Sequence, residues 1–154
     1  MWKKQRNLLL LIPLIFLTGC LSLKFGDNYN SEKQQIADVK VIEKWLGAPL
    51  PNNYSGLKYE IIADTPDPQV KIAVNVPQEY FQTLVKQNNL VKYDEFKNKL
   101  PNDLKPREWQ ESNQPSDFID KPLPTTTIWI TKTEFYPKYF WYQQQRLYLI
   151  YASR

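Results

Sequence analysis

The chain has one cysteine, Cys20, and no histidine. Together these constrain what it can fold into more than any other feature. A single cysteine forms no intrachain disulfide, and without histidine the His-based zinc and copper sites are closed off. Whatever the sequence builds must be held together by its apolar core. The material for one is present: five tryptophans, ten tyrosines and seven phenylalanines, of which only Trp2 and Phe16 precede Cys20. Aromatic side chains bury large areas each. The same absences remove Ser-His-Asp and Cys-His nucleophilic machinery, so no cofactor and no metal site are expected.

The surroundings of Cys20 say where such a chain works. Lys3, Lys4 and Arg6 form a basic start, and Leu8 to Leu17 form an apolar run of ten residues. That length suits the apolar part of a secretory leader and falls short of the roughly 20 residues that span a bilayer. Pro13 would disturb a longer helix, and Lys24 and Asp27 soon follow. The run ends in Leu17-Thr18-Gly19-Cys20, which resembles the lipobox of bacterial lipoprotein precursors. The resemblance implies a signal peptide over residues 1–19 and cleavage between Gly19 and Cys20. It also implies an S-diacylglycerol and an N-acyl group on Cys20, and an extracytoplasmic protein anchored to a membrane by lipid. Leu21, rather than the aspartate that resembles an inner-membrane retention signal, follows the cysteine. A Gram-negative host would therefore carry the protein to its outer membrane. Acylation also removes a lone thiol that an oxidising compartment would make a liability.

Removal of the leader changes the charge. The formal net charge of +4 includes Lys3, Lys4 and Arg6; without them the chain is nearly balanced and has no basic patch, so a nucleic-acid partner is not expected. Residues 20–31 read as the lipidated cysteine and a flexible tether, reaching at most about 35–40 Å from the lipid. Residues 32–154 then form one domain, long enough for a core of its own. Ser31 and Gln34 have the spacing of a capping box. Ile36, Val39, Ile42, Trp45 and Leu46 form an apolar stripe, and Gly47, Pro49 and Pro51 stop it. The spacing predicts a helix over 32–46, with Trp45 buried against the sheet.

Strand signals follow. Leu57, Tyr59 and Ile61 alternate with polar neighbours, and so do Val70, Ile72, Val74 and Val76, across the turn signal Asp64-Thr65-Pro66-Asp67-Pro68. Pro77 suits the start of a second helix with Phe81, Leu84 and Val85 on its apolar face. Tyr93 to Leu100 suits a further short helix. Residues 101–126 hold five of the twelve prolines and read as a long loop containing Trp109 and Phe118. Residues 127–131, 138–142 and 146–152 read as strands, the last two flanking a Gln143-Gln144-Gln145 turn. The last strand is apolar on both alternating faces, which places it away from an edge. The expected fold is α+β: one antiparallel sheet of about four to five strands with two main helices on one face.

Three groups of residues are candidates for chemistry. The aromatic run Phe135-Tyr136 and Tyr139-Phe140-Trp141-Tyr142, with Trp109, could form a surface for an envelope protein or a glycan, with Tyr139, Trp141 and Trp109 as its anchors. The competing reading is core packing. The carboxylates Asp94-Glu95, Glu108 with Glu111, and Asp117 with Asp120 could supply an acid and a base, as glycoside hydrolysis requires. They lie on polar segments where solvated charges are expected. Asp64, Asp67 and Glu60 lack calcium-loop spacing. Finally, Ser55-Gly56-Leu57-Lys58-Tyr59 resembles the Ser-Gly-x-x-Tyr motif of membrane-bound inhibitors of C-type lysozyme. Those proteins have a small β-barrel and usually a disulfide, and a second cysteine is missing here; Gly56 also reads as a turn before a strand. The expectation from sequence is a lipid-anchored envelope protein that binds a partner and is not an enzyme. An envelope hydrolase using paired carboxylates and a lysozyme-inhibitor-like lipoprotein are the alternatives.

Overall fold

A computed structural model of the chain describes residues 26–33, 35–99, 118–132 and 136–152. The fold is α+β, and the described residues form one antiparallel sheet of seven strands with three α-helices. In chain order these are β1 (Tyr29–Asn30), α1 (Val39–Leu46), β2 (Ser55–Ile62), β3 (Gln69–Asn75), α2 (Gln78–Gln87), β4 (Val91–Lys92), α3 (Tyr93–Phe96), β5 (Ile128–Ile130), β6 (Tyr139–Gln143) and β7 (Arg146–Ala152). The strands lie side by side in the order β1-β2-β3-β7-β6-β5-β4. Two meanders, β1 to β3 and β4 to β7, are thus sewn together through the seven-residue pairing of β3 with β7.

The sequence-based count of four to five strands and two helices is too low. The additional strands β1 and β4 are two residues long, too short to show an alternation. β1 also lies inside the stretch read as tether: Tyr29 pairs with Ile61 and Asn30 with Glu60.

Packing follows from the side-chain alternation of the strands. Tyr59, Ile61, Val70, Ile72, Leu147 and Leu149 point to one face, where Ile42 and Leu46 of α1 and Phe81 and Leu84 of α2 cover them. The other face has two smaller clusters. Phe118 covers Ala73, Trp141, Tyr148 and Ile150, and α3 brings Tyr93 and Phe96 over Ile130 and Tyr139. Two helices therefore share one face, as expected, and the third lies on the opposite one. Leu147, Tyr148, Leu149 and Ile150 are all buried; β7 sits between β3 and β6, away from both edges, as its apolar pattern predicts.

Helix α1 is shorter than the predicted 32–46. Asp38 is the N-cap, with extended backbone angles and a side chain that accepts from the Lys40 N–H at 2.9 Å. Ser31, expected to cap, instead extends the sheet edge. Its N–H donates to the Tyr59 carbonyl and its Oγ accepts from the Tyr59 N–H, both at 3.0 Å. Ile36, placed on the apolar stripe by its spacing, precedes the helix and is 76% exposed. Gln34 lies outside the described residues. The C-terminus ends as predicted: Gly47 adopts φ 76° and its N–H donates to the Glu43 carbonyl at 2.8 Å. The next free carbonyls are taken as well. Lys138 Nζ donates to the Trp45 carbonyl at 2.6 Å, and Asn88 Nδ2 to the Leu46 carbonyl at 3.1 Å. Trp45 is half-buried rather than buried; it packs on Tyr151 with ring centroids 5.3 Å apart, and Lys138 Nζ lies 5.3 Å from its ring.

Gln143, read as a turn residue, is the last residue of β6 and is buried. Its Oε1 accepts from the Leu123 N–H and the Thr126 hydroxyl, and its Nε2 donates to the Lys121 carbonyl. One carboxamide thus ties the 121–126 segment to the sheet. The hairpin turn shrinks to Gln144-Gln145, with φ of 52° and 63°.

Candidate functional site

The Gln144-Gln145 turn forms one wall of a cleft of about 650 Å³. Two positive φ values in a two-residue loop are the geometry that matches strand twist, and Asn-Gly or Asp-Gly usually supplies it. Here glutamines do, at a cost in backbone strain. The floor is the junction where β3 runs into α2, through Asn75, Val76 and Pro77. Pro77 precedes α2 as its N-cap, with φ −61° and extended backbone, and makes no side-chain capping hydrogen bond. The next two residues, Gln78 and Glu79, reach the cleft from the first helical turn, and Asn53 and Ser55 close the remaining side.

The walls are fastened to one another. The Val76 N–H donates to the Gln145 carbonyl at 3.2 Å. The Tyr142 hydroxyl, also in the cleft wall, donates to the Val76 carbonyl at 2.9 Å. The Tyr142 ring stacks on Phe81 of α2, with centroids 5.3 Å apart and planes 14° from parallel. Burial, and then the nearby Glu79 carboxylate, push the Tyr142 phenol above its ordinary value. On the far side Gly56, at φ 58°, makes a bulge between Ser55 and Lys58. A Cβ at Gly56 would sit 2.7 Å from Asn75 Nδ2, so glycine leaves room for the Asn75 carboxamide. Arg146 Nη2 donates to the Gly56 carbonyl at 3.4 Å and secures the bulge from the β7 side.

None of the protein-family models, curated proteins or solved structures compared with this chain matches it. The site is therefore read from its own residues.

Of the aromatics considered for a surface, the described Tyr139 and Trp141 follow the competing reading, core packing. Tyr139 is 4% exposed and Trp141 is fully buried. Trp141 stacks on Tyr148 at 5.0 Å, and Tyr139 meets Tyr93 edge-on at 6.1 Å. β6 is an internal strand with both faces covered, so core packing takes both rings. Trp109, Phe135, Glu108, Glu111, Asp117 and Cys20 lie outside the described residues.

The described carboxylates among these candidates each have another partner. Asp94 holds Lys97 at 2.9 Å and Glu95 holds Lys92 at 3.4 Å, both on the surface of α3. Asp120 accepts a hydrogen bond from the Tyr148 hydroxyl. Glu60 lies 3.8 Å from Lys71 and accepts from Asn30 Nδ2 at 3.3 Å. Among the described residues no cluster of three or more Asp, Glu, His or Cys side chains is placed to hold a metal ion. In the Ser55–Tyr59 motif, Ser55 opens onto the cleft, whereas the buried Tyr59 hydroxyl oxygen accepts from the Ala37 N–H at 2.9 Å. Among the described residues the sheet is open, with β1 and β4 at its edges, unlike the small barrel that the lysozyme-inhibitor resemblance implies.

Asn53, Asn75, Gln78, Gln144 and Gln145 were missed by the sequence reading. Scattered carboxamides at element ends resemble ordinary solvated loops. The only local signal was Gln143-Gln144-Gln145, which marks a turn without saying what it faces.

Proposed function

We propose that the chain is a lipid-anchored protein of the bacterial cell envelope whose folded part is a binding module rather than an enzyme. The observation that carries the binding reading is the chemistry of the cleft. Its described lining is mostly uncharged hydrogen-bonding side chains, with Val76, Pro77 and one carboxylate, Glu79. Glycoside hydrolysis by the common routes needs two carboxyl groups across the substrate. One carboxylate among carboxamides suits recognition instead.

The anchoring half rests on Lys3, Lys4 and Arg6, the apolar run to Leu17, and Thr18-Gly19-Cys20. No helix of the described residues is long and apolar enough to cross a membrane. Acyl chains on Cys20 would supply attachment, each buried methylene contributing about 0.8 kcal/mol, with about two chains needed for stable binding. The membrane is then the first partner, and an envelope protein or a glycan the second. A Gram-negative host would hold the mature protein at its outer membrane.

The test is metabolic labelling with a clickable fatty acid. Wild type takes up label and loses residues 1–19; Cys20→Ser accumulates as unlabelled precursor. Equal labelling of the two proteins would refute the anchor.

A further inference from the structure

The cleft between the Gln144-Gln145 turn and the start of α2 deepens the binding reading and rests on it. We infer that it is a subsite for an uncharged saccharide. Four observations lead there. A carboxamide both donates and accepts hydrogen bonds, as a sugar hydroxyl does. A wall of Asn53, Asn75, Gln78, Gln144 and Gln145 therefore matches a ligand whose polar groups each do both, better than one that only donates or only accepts.

Charge points the same way. The start of a helix favours negative charge, but Glu79 in the first turn of α2 already supplies it and faces the cleft. An anionic ligand would meet that carboxylate with no cationic side chain among the described lining residues to offset it. Val76, Pro77 and the Tyr142 ring give the cleft small apolar areas, suited to the C–H faces of a sugar ring.

The site is also built in advance. Gln144 and Gln145 hold left-handed backbone angles without being glycine, and Val76 bonds both to Gln145 and to Tyr142. Strain of this kind persists where surrounding structure holds it, and it collects at binding sites. Fixed walls lower the ordering cost of binding. The volume, about 650 Å³, falls within the range of roughly 300–1,000 Å³ typical of small-ligand sites.

Topology disfavours a peptide added as an extra strand, which requires an exposed sheet edge. The cleft opens at the ends of β3, β6 and β7, and all three are internal strands.

The experiment is a titration of the isotope-labelled full chain in detergent micelles, read by NMR at the side-chain amide signals of the five cleft carboxamides. Three probes are used: an N-acetylglucosamine tetrasaccharide, cellotetraose and inorganic phosphate. Saturable shifts confined to the cleft are expected with a saccharide. The acetylated probe binding alone would assign an amino-sugar polymer, and cellotetraose binding as well would assign a neutral hexose chain. Asn53→Ala and Gln78→Ala, both at exposed positions, should weaken binding about tenfold each with melting temperatures unchanged.

A folded protein that shows no cleft shifts with either saccharide overturns the inference. So do shifts that map elsewhere, or an affinity in both variants equal to that of the wild type. Cleft shifts with phosphate alone would overturn the saccharide while leaving a binding cleft. Fatty-acid labelling of Cys20 in the same preparation reports on the anchor separately.

Discussion

At the junction of α1 with the sheet, two neighbouring residues contribute by different means. Trp45 is the larger, but Leu46 is the one that is 1% exposed. Leu46→Ala deletes three carbon groups from the main core. At about 0.8 kcal/mol for each, the transfer part is about 2.4 kcal/mol, and the cavity left behind raises the total to about 3–4 kcal/mol. Trp45 is half-buried and its contacts can be valued singly. The tilted pair with Tyr151 is worth about 0.5–1.5 kcal/mol. The Lys138 ammonium over its ring is worth about 0.5–2 kcal/mol. The hydrogen bond from Lys138 goes to the Trp45 backbone carbonyl and survives truncation. These two contacts account for about 1–3.5 kcal/mol of the cost of Trp45→Ala, and the apolar area that the half-buried ring covers adds to it.

Urea unfolding followed by far-ultraviolet circular dichroism measures both, provided the m-value stays constant. A third protein, Lys138→Met, and the double variant with Trp45→Ala complete a cycle. The expected coupling is about 0.5–2 kcal/mol, since these groups touch. No measurable loss at Leu46, or no coupling between Trp45 and Lys138, would mean that α1 docks through a different face and would refute the reasoning.

Three further outcomes are expected. Burial, and secondarily Glu43, push the Tyr80 phenol up to about 12, so the folded state keeps a proton that the unfolded chain loses near pH 10. This stability is complete below pH 10 and is lost as the pH passes 12, about 1–2 kcal/mol once solvent on the exposed part of the ring is allowed for. Burial raises Tyr139 and Tyr148 in the same sense, while Lys138, lowered by burial, gains stability as the pH climbs toward 10.5. Denaturant midpoints from pH 9 to 12 should fall for wild type and fall less for Tyr80→Phe. Gly47→Ala should cost about 2–3 kcal/mol in the same urea assay: its φ of 76° disfavours a side chain, and the new Cβ would lie 2.3 Å from Asn88 Oδ1. Gln143→Leu should leave the Leu123 N–H and Lys121 carbonyl unpaired and cost about 1–3 kcal/mol. Hydrogen exchange should quicken at Leu123 and stay unchanged along β3 and β7.

What could be read from the chain was what repeats along it. The alternation in Val70–Val76 and the two-sided apolar run of Leu147–Ile150 located β3 and β7, the two central strands, because strand periodicity is a local signal. Gly47 announced the end of α1 for the same reason: a left-handed cap needs a residue without a Cβ. The start of α1 was misread because two capping residues competed. Ser31 has the better motif, but Asp38 is adjacent to the helix that forms, and Ser31 gains two hydrogen bonds to Tyr59 across the sheet edge. A partner 28 positions away leaves no mark in a local pattern. Aromatic spacing in Tyr139–Tyr142 likewise could not separate core from surface, since a strand alternates either way. The decision came from Phe118 and α3, which arrive from elsewhere in the chain.

The cleft follows the same logic one step further. Its five carboxamides come from the loop before β2, the end of β3, the start of α2 and the β6–β7 turn. What brings them together is the β3–β7 pairing, in which Asn75 stands opposite Arg146 and so next to the Gln144-Gln145 turn. Shifting that register by one residue would turn Val74 and Leu147 out of the core. The burial of those two side chains therefore sets the position of the turn against the start of α2. In this fold the apolar pattern that holds the sheet in register also fixes the shape of the polar cleft at its end.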